Sequence, residues 1–367
     1  MIAFADYQGR HPHATADIVR ILRTQAQRGE FILKSAVAEL EAALCAHARR
    51  RHAVCVGSGT AAMMLALKAS GVGPGDEVIV PAFCYVAAAS CVVQVGATPV
   101  FADVDPERFT LVPEAVRSAL TPRTRAVVAA HLFAGVADMP AIARLLPQGV
   151  MLLEDSATAF GARLGGLPAG SLGDLGVYSF FPAKPLGGLG DAGVLLTDDD
   201  EVATLARMLR NHGQDGRTRF CHHLLGFNSR MDEVNARWLL EQLPRQAADL
   251  AHKQALARRY DAGLHARVPQ LRLQQRATED FSPHAYVVRV EDRQALAAHL
   301  SACGIQTRVY FAQPLPAQAA FSGAIGQASD FPVATALAAQ TLALPLHSAL
   351  SLGDIDHVLQ AVYRFYA

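Results

Sequence analysis

The sequence predicts an α/β protein built on a mainly parallel sheet with helices on both faces. Three observations carry this reading. From residue 53 onward, short apolar runs alternate with helical segments, the pattern of strands joined by crossover helices. A glycine-rich turn, Gly57-Ser58-Gly59-Thr60-Ala61-Ala62, lies between one such strand and the next helix. Within residues 150–197, an acid ends one apolar run, Asp155, and a lysine follows another, Lys184. Ligands of α/β sheets bind at strand ends, so these two side chains can meet in one cleft.

Taken in order, residues 14–48 carry helical patterning broken at Gly29. AVCVGS then reads as a strand, TAAMMLALKAS as a helix and DEVIVP as a second strand. A helix over residues 85–95 leads to the strand PVFADVD, and further strands fall at 125–130 and 150–154, with a helix near 138–146. Residues 176–181 and 192–196 are apolar runs bounded by glycines and read as buried strands. DDDEVATLARMLRNHG begins with acids suited to a helix N-terminus. Helix-forming sequence runs from 232 to about 265, and a boundary near 245 divides a large domain, 1–245, from a smaller one, 246–367. In the smaller domain, 285–290 and 306–309 read as strands, and 293–302 and 352–365 as helices.

Composition narrows the function classes. The 367 residues are 51% hydrophobic, enough for one large core and a smaller one. Lys plus Arg and Asp plus Glu number 33 each, which leaves no electrostatic footprint for nucleic acid. Six cysteines (Cys45, Cys55, Cys84, Cys91, Cys221 and Cys303) form no CxxC pair and read as thiols of a reducing compartment. The N-terminus lacks the basic-then-apolar order of a signal peptide. The longest apolar stretch, 85–102, is interrupted by Gln94, Gly96 and Pro99, so no membrane span is expected. A soluble cytoplasmic protein is the expectation.

The Gly57–Ala62 turn suits an anion, because glycines admit close approach and a helix start offers free amides. The same letters satisfy a dinucleotide fingerprint, but that site needs an acid at the end of the next strand. Here the strand ends VIVPAF, with Asp76 and Glu77 at its beginning, and the dinucleotide reading fails. Tyr85, just after that strand, can lie over a flat ring, although an aromatic at such a place is more often core. Asp155 and Lys184 suit a cofactor with a pyridinium nitrogen and an aldehyde, the first holding a proton on the ring and the second forming a Schiff base. The bland alternative is a buried ion pair, which costs desolvation. The histidines His212, His222 and His223 match no metal-ligand spacing, and no metal is expected.

Together and in this order, Gly29-Glu-Phe-Ile-Leu, SGTAAMMLALKASGVGPGDEVIVPAFCYVA, GATPVFADVDP, EDSATAFGA, GSLGDLGVYSFFPAKPLGGLGD, GFNSRMDEVNA and DFPVATALAAQTLALPLH resemble the DegT/DnrJ/EryC1/StrS family. These are pyridoxal-phosphate (PLP) dependent sugar aminotransferases of fold type I. The resemblance implies a large domain with a seven-stranded-type sheet, a smaller C-terminal α+β domain, and a homodimer with shared active sites. It makes Lys184 the lysine that carries the cofactor and Asp155 the acid facing the pyridine nitrogen. Tyr85 matches the stacking aromatic. Gly59 and Thr60, through their amides, and Ser179, through its hydroxyl, match phosphate ligands. Asn228 matches an asparagine that reaches the phosphate of the neighbouring subunit.

Four positions depart from the family pattern. Thr158 stands where relatives usually carry Gln near the ring oxygen, and Phe160 where they often carry His. Pro314-Leu-Pro316 replaces Pro-Leu-His, and Pro185-Leu-Gly follows the lysine instead of Asn-Leu-Gly. The implied activity is transfer of an amino group, with glutamate as the expected donor, to a keto sugar carried on a nucleotide. The product would be an amino sugar for a surface polysaccharide or natural product. A nucleotide diphosphate needs positive charge near the cleft, for which Arg210, His212, Arg230 and Arg308 are candidates; each could equally serve an ion pair of the fold. Rival readings are a keto-cyclitol acceptor, a PLP-dependent dehydratase (disfavoured because Lys184 is retained), and a non-catalytic PLP-binding protein.

Overall fold

The computed structural model describes residues 1–218, 220–278 and 280–367. Twelve strands are described: β1 His52–Val56, β2 Glu77–Pro81, β3 Thr98–Ala102, β4 Thr124–Ala130, β5 Met151–Asp155, β6 Arg163–Leu164, β7 Leu167–Pro168, β8 Leu175–Ser179, β9 Gly193–Thr197, β10 Arg272–Leu273, β11 Tyr286–Arg289 and β12 Thr341–Leu344. The helices are α1 Tyr7–Arg10, α2 Ala14–Arg28, α3 Ser35–Ala48, α4 Gly59–Ala69, α5 Ala87–Gln94, α6 Pro113–Ala119, α7 Met139–Ala143, α8 Asp200–Leu209, α9 Glu233–Gln242, α10 Gln246–Leu264, α11 Arg293–Ala302, α12 Pro332–Gln340 and α13 Leu352–Tyr366.

Seven strands form one sheet in the order β1-β9-β8-β5-β4-β2-β3. β3, β2, β4, β5 and β8 run parallel, and β9 is inserted antiparallel between β8 and β1. β2 is buried along its whole length and β5 over Leu152–Asp155, as expected for apolar runs covered on both faces. A smaller sheet, β10-β11-β12, is antiparallel. The α/β class and the mainly parallel seven-stranded sheet are therefore as the sequence predicts.

Local signals explain the ends of the elements nearest the site. Gly29 closes α2 at φ 65°, a left-handed conformation that glycine adopts freely, which produces the predicted helical break. Ser58 caps α4 by accepting the Ala61 amide at 3.0 Å. Asp199 accepts the Glu201 and Val202 amides at the start of α8.

The structure corrects the prediction in several places. The strand expected at 306–309 is a single bridge between Arg308 and Ala343, because the chain meets β12 at one residue only. The helix expected across 232–265 is interrupted by a 3₁₀ turn, Leu243–Arg245, where Pro244 has no amide to continue the ladder. β12, α6 and α12 were not anticipated.

One large apolar core packs on the seven-stranded sheet and reaches the small one, and a second lies on the small sheet. One runs from Val54, Leu65 and Val80 to Val287 and Leu337. The other gathers Leu256, Tyr260, Val288, Leu300 and Val358, and takes in Ile2 from the chain start. The Ile2 amide donates to the Gly304 carbonyl at 2.8 Å, which ties the N-terminal segment to that second core. Among the described residues no helix is long and apolar enough to cross a membrane.

Candidate active site

The parallel strands end on one edge, and the predicted site residues cluster there. Asp155 is the last residue of β5 and Ser179 the last of β8; Lys184 follows β8 by five residues, and Gly59 opens α4 after β1. Alternation along β5 sends its two acids to opposite faces. Glu154 is fully buried and saturated: it accepts from His131 Nε2 at 2.8 Å, Ser156 Oγ at 2.8 Å and the amides of Gly170, Leu172 and Gly173. His131 Nδ1 in turn accepts the Ala137 amide at 3.1 Å, so the proton sits on Nε2, toward Glu154. Glu154 is a structural acid.

Asp155 is different. It is 8% exposed, and its carboxylate accepts one hydrogen bond, from the Ala157 amide to Oδ1 at 3.0 Å. Burial pushes its pKa above the ordinary carboxylate range, opposed by that amide and by the charge of Lys184. Burial lowers the pKa of Lys184, and the Asp155 charge opposes the shift. No described residue takes the Lys184 ammonium in an ion pair or hydrogen bond. The two groups thus lie within each other's field, a buried acid with an open oxygen and an amine whose charge burial disfavours.

The lysine turn is held from outside. Arg10, at the end of α1, donates through Nη1 to the carbonyls of Lys184 at 2.9 Å and Pro182 at 3.3 Å, and through Nη2 to that of Pro185. Its Nε lies 3.6 Å from Asp249 of α10.

The start of α4 forms an anion cradle. The first amides of a helix have no partner within it, so Gly59 and Thr60 present theirs outward. Ser179 lies against them: a Cβ at Gly59 would sit 2.7 Å from Ser179 Cβ and 3.2 Å from its Oγ. A Cβ at Gly193 of β9 would meet the Ser58 carbonyl carbon at 2.4 Å, so a glycine there lets the Ser58–Gly59 backbone lie directly on the strand. Ser229, unnoticed in the sequence, accepts the Gly57 amide at 3.3 Å and holds the 228–230 segment beside this turn.

The remaining predicted residues divide. Tyr85 is 59% exposed at the rim, which removes the core alternative. The Thr158 hydroxyl donates to the His131 carbonyl at 3.0 Å, so its one proton is committed and it can only accept elsewhere. Asn228 is exposed on a segment bridged to Asn211. Arg210 is a correction: it is buried, donates to Glu41 Oε1 at 2.5 Å and to the Cys55 carbonyl at 2.8 Å, and serves the fold. Arg230 contacts Asn211 Oδ1 at 3.4 Å, with its Nε buried and unpartnered. His212 is exposed, and Arg308 lies over the Phe4 ring at 5.0 Å. No group of metal-ligating side chains occurs among the described residues.

A buried carboxylate with an unused oxygen, a lysine within its field and an anion cradle on one strand edge fit an aromatic cation bearing an aldehyde and a phosphate. PLP is such a group.

Comparison with known proteins agrees. A model of the DegT/DnrJ/EryC1/StrS aminotransferase family matches residues 12–363. The chain is 35% identical to the UDP-2-acetamido-2-deoxy-3-oxo-D-glucuronate aminotransferase of Pseudomonas aeruginosa, over 99% of each protein. It superimposes on the crystal structure of DesV from S. venezuelae in complex with a ketimine intermediate, with a TM-score of 0.94 and 36% identity, covering 99% of this chain and 98% of that one. NtdA of Bacillus subtilis, solved with bound cofactor PMP, gives a TM-score of 0.91 at 27% identity, covering 99% of this chain and 85% of that one.

Proposed function

The chain belongs to the DegT/DnrJ/EryC1/StrS aminotransferase family, and we propose that it moves an amino group from an amino acid, glutamate first among donors, to a nucleotide-linked keto sugar. The observation that carries this reading is Asp155: a buried carboxylate with one oxygen unsatisfied, whose charge acts on Lys184 at the same strand edge.

When bound, PLP supplies an electron sink that stabilises negative charge at the carbon bearing the amino group. The residues do the rest. Lys184, its amine pKa lowered by burial, would hold the aldehyde and carry the proton to and from the reacting carbon. Asp155 would hold a proton on the pyridine nitrogen. The Gly59 and Thr60 amides and the Ser179 hydroxyl bind the phosphate, aided by the positive end of α4. Tyr85 covers the ring at the rim. Thr158, whose hydroxyl donates to the His131 carbonyl, would have no proton left for the ring oxygen.

The acceptor's nucleotide is met by Arg230 and Arg308, which have no acidic partner within ion-pair distance among the described residues, and by His212 at the surface; Arg210 drops out of that set. Phe31, Tyr85, Phe181 and Leu225 are large apolar side chains left exposed near these elements, which supports a homodimer in which Asn228 of each copy completes the other's phosphate site. The relative acting on a UDP-linked 3-oxo sugar supports the same acceptor class.

The test is a two-step absorbance experiment with PLP-loaded protein. Glutamate should bleach the visible band, and a panel of 3-keto nucleotide sugars should restore it with formation of an amino sugar. No bleaching by any amino acid would defeat the transfer reading, and restoration by keto-cyclitols alone would move the acceptor class.

A further inference from the structure

Behind the lysine turn lies a cavity of about 70 Å³, bordered by Ala183, the N-terminal segment, α10 and the small sheet. A water needs roughly 10–15 Å³ of such space, so there is room for a planar group of several heavy atoms. Three polar atoms of its lining are buried without a hydrogen-bond partner among the described residues: His284 Nδ1, His347 Nδ1 and Ser348 Oγ. Unpartnered buried polar atoms are rare singly and each costs free energy. Their convergence on one cavity marks a built site.

Charge states which ligand it suits. The lining carries three cations, Arg10, Lys253 and Arg308, against one acid, Asp6. Asp6 is committed to capping α1, accepting the Gly9 amide at 2.8 Å. Asp249, outside the lining, pairs with Arg10. Lys253 makes no ion pair or hydrogen bond with any described residue, and burial and Arg10 push its pKa down to about 7. His347 donates Nε2–H to the Ala3 carbonyl at 3.2 Å, so its unpartnered Nδ1 is an acceptor and takes no part in holding a carboxylate.

We propose that this cavity is a binding site for a carboxylate, with Lys253 as its charge partner and Ser348 as a hydrogen-bond donor. Two sources can present that group: the side chain of the amino donor, or a free carboxylate acting from behind the lysine turn. The first source rests on the aminotransferase reading; the site itself does not.

Titration calorimetry on the PLP-loaded protein tests it, with glutarate and acetate as probes because neither has an amine to react. One saturable glutarate per chain is expected, weakened about tenfold or more in Lys253→Met, weakened less in Ser348→Ala and largely restored in Lys253→Arg. The visible band of each variant reports that it is folded and loaded. Absence of saturable binding, or equal affinity in wild type, Lys253→Met and Ser348→Ala, would overturn the proposal. The Michaelis constant for glutamate separates the sources: a rise matching the loss of glutarate affinity, with kcat little changed, assigns the site to the donor. An unmoved constant assigns it to a free carboxylate. Calorimetry needs no turnover, so a chain that binds glutarate but exchanges no amine refutes the function and keeps the site.

Discussion

Arg10 donates to the main-chain carbonyl of Lys184 at 2.9 Å, across 174 positions of sequence. With Pro182 and Pro185 also held, one guanidinium fixes three carbonyls of the turn that aims the lysine. A fork of donors suits this task, and neither lysine nor glutamine reproduces it. Arg10→Gln should weaken PLP retention by about tenfold or more, the worth of a hydrogen bond to a charged group. Dialysis followed by PLP titration of the visible band measures it. Retention equal to wild type would show the grip to be incidental.

Gly59→Ala separates phosphate binding from ring binding. The new methyl would lie 2.7 Å from Ser179 Cβ, so the cradle must open. PLP affinity should fall by about tenfold or more, on the scale of one charge-assisted hydrogen bond. Affinity for pyridoxal, which lacks the phosphate, should be unchanged. Equal losses for both ligands would place the phosphate elsewhere.

Asp155→Asn should lower activity by about 10³-fold, as when one electrostatic partner of a reacting group is lost. Its effect on the cofactor-free protein has the opposite sign. Burial raises the folded carboxyl's pKa above its ordinary 3.8, so the folded form has its full relative stability below that pH and loses some as pH rises through the folded value. Cofactor-free Asp155→Asn should therefore resist urea better than wild type at pH 7, with the gap narrowing toward acid. The Asp155 charge also holds the Lys184 pKa up, so the pH midpoint for PLP capture should move down in the variant. A midpoint that stays put would uncouple the two residues.

Glu154→Gln tests the neighbouring acid. Its carboxylate accepts the amides of Gly170, Leu172 and Gly173, and an amide side chain would turn a donor toward donors. Urea unfolding should show a loss of about 1.5–3 kcal/mol, the worth of a hydrogen bond to a charged group. The folded, PLP-loaded fraction should keep kcat within a few fold. A folded variant without activity would give Glu154 a chemical role.

The placement of Asp155 and Lys184 was legible because each ends or follows an apolar parallel strand, and such runs declare themselves. The role of Glu154 was not, since two adjacent acids look alike until the strand sends them to opposite faces. Arg210 was ambiguous for a similar reason: its partner Glu41 lies 169 positions away. β12 was hidden because TLAL continues the helical composition of α12 and becomes a strand only by pairing with β11. The cavity beside Lys253 draws on the N-terminal segment, α10 and the small sheet, and no local motif announces a site made of such distant pieces.

The central claim is that Lys184, and no other lysine, carries the cofactor. Lys253 is a demanding control, because its pKa is also low, at about 7, and it lies near the same turn. Borohydride reduction of the PLP-loaded protein, followed by peptide mapping, reads the attachment directly. The account predicts one pyridoxyl group per chain on Lys184, and none anywhere in Lys184→Ala. A label on Lys253, or an unchanged label in Lys184→Ala, would contradict it.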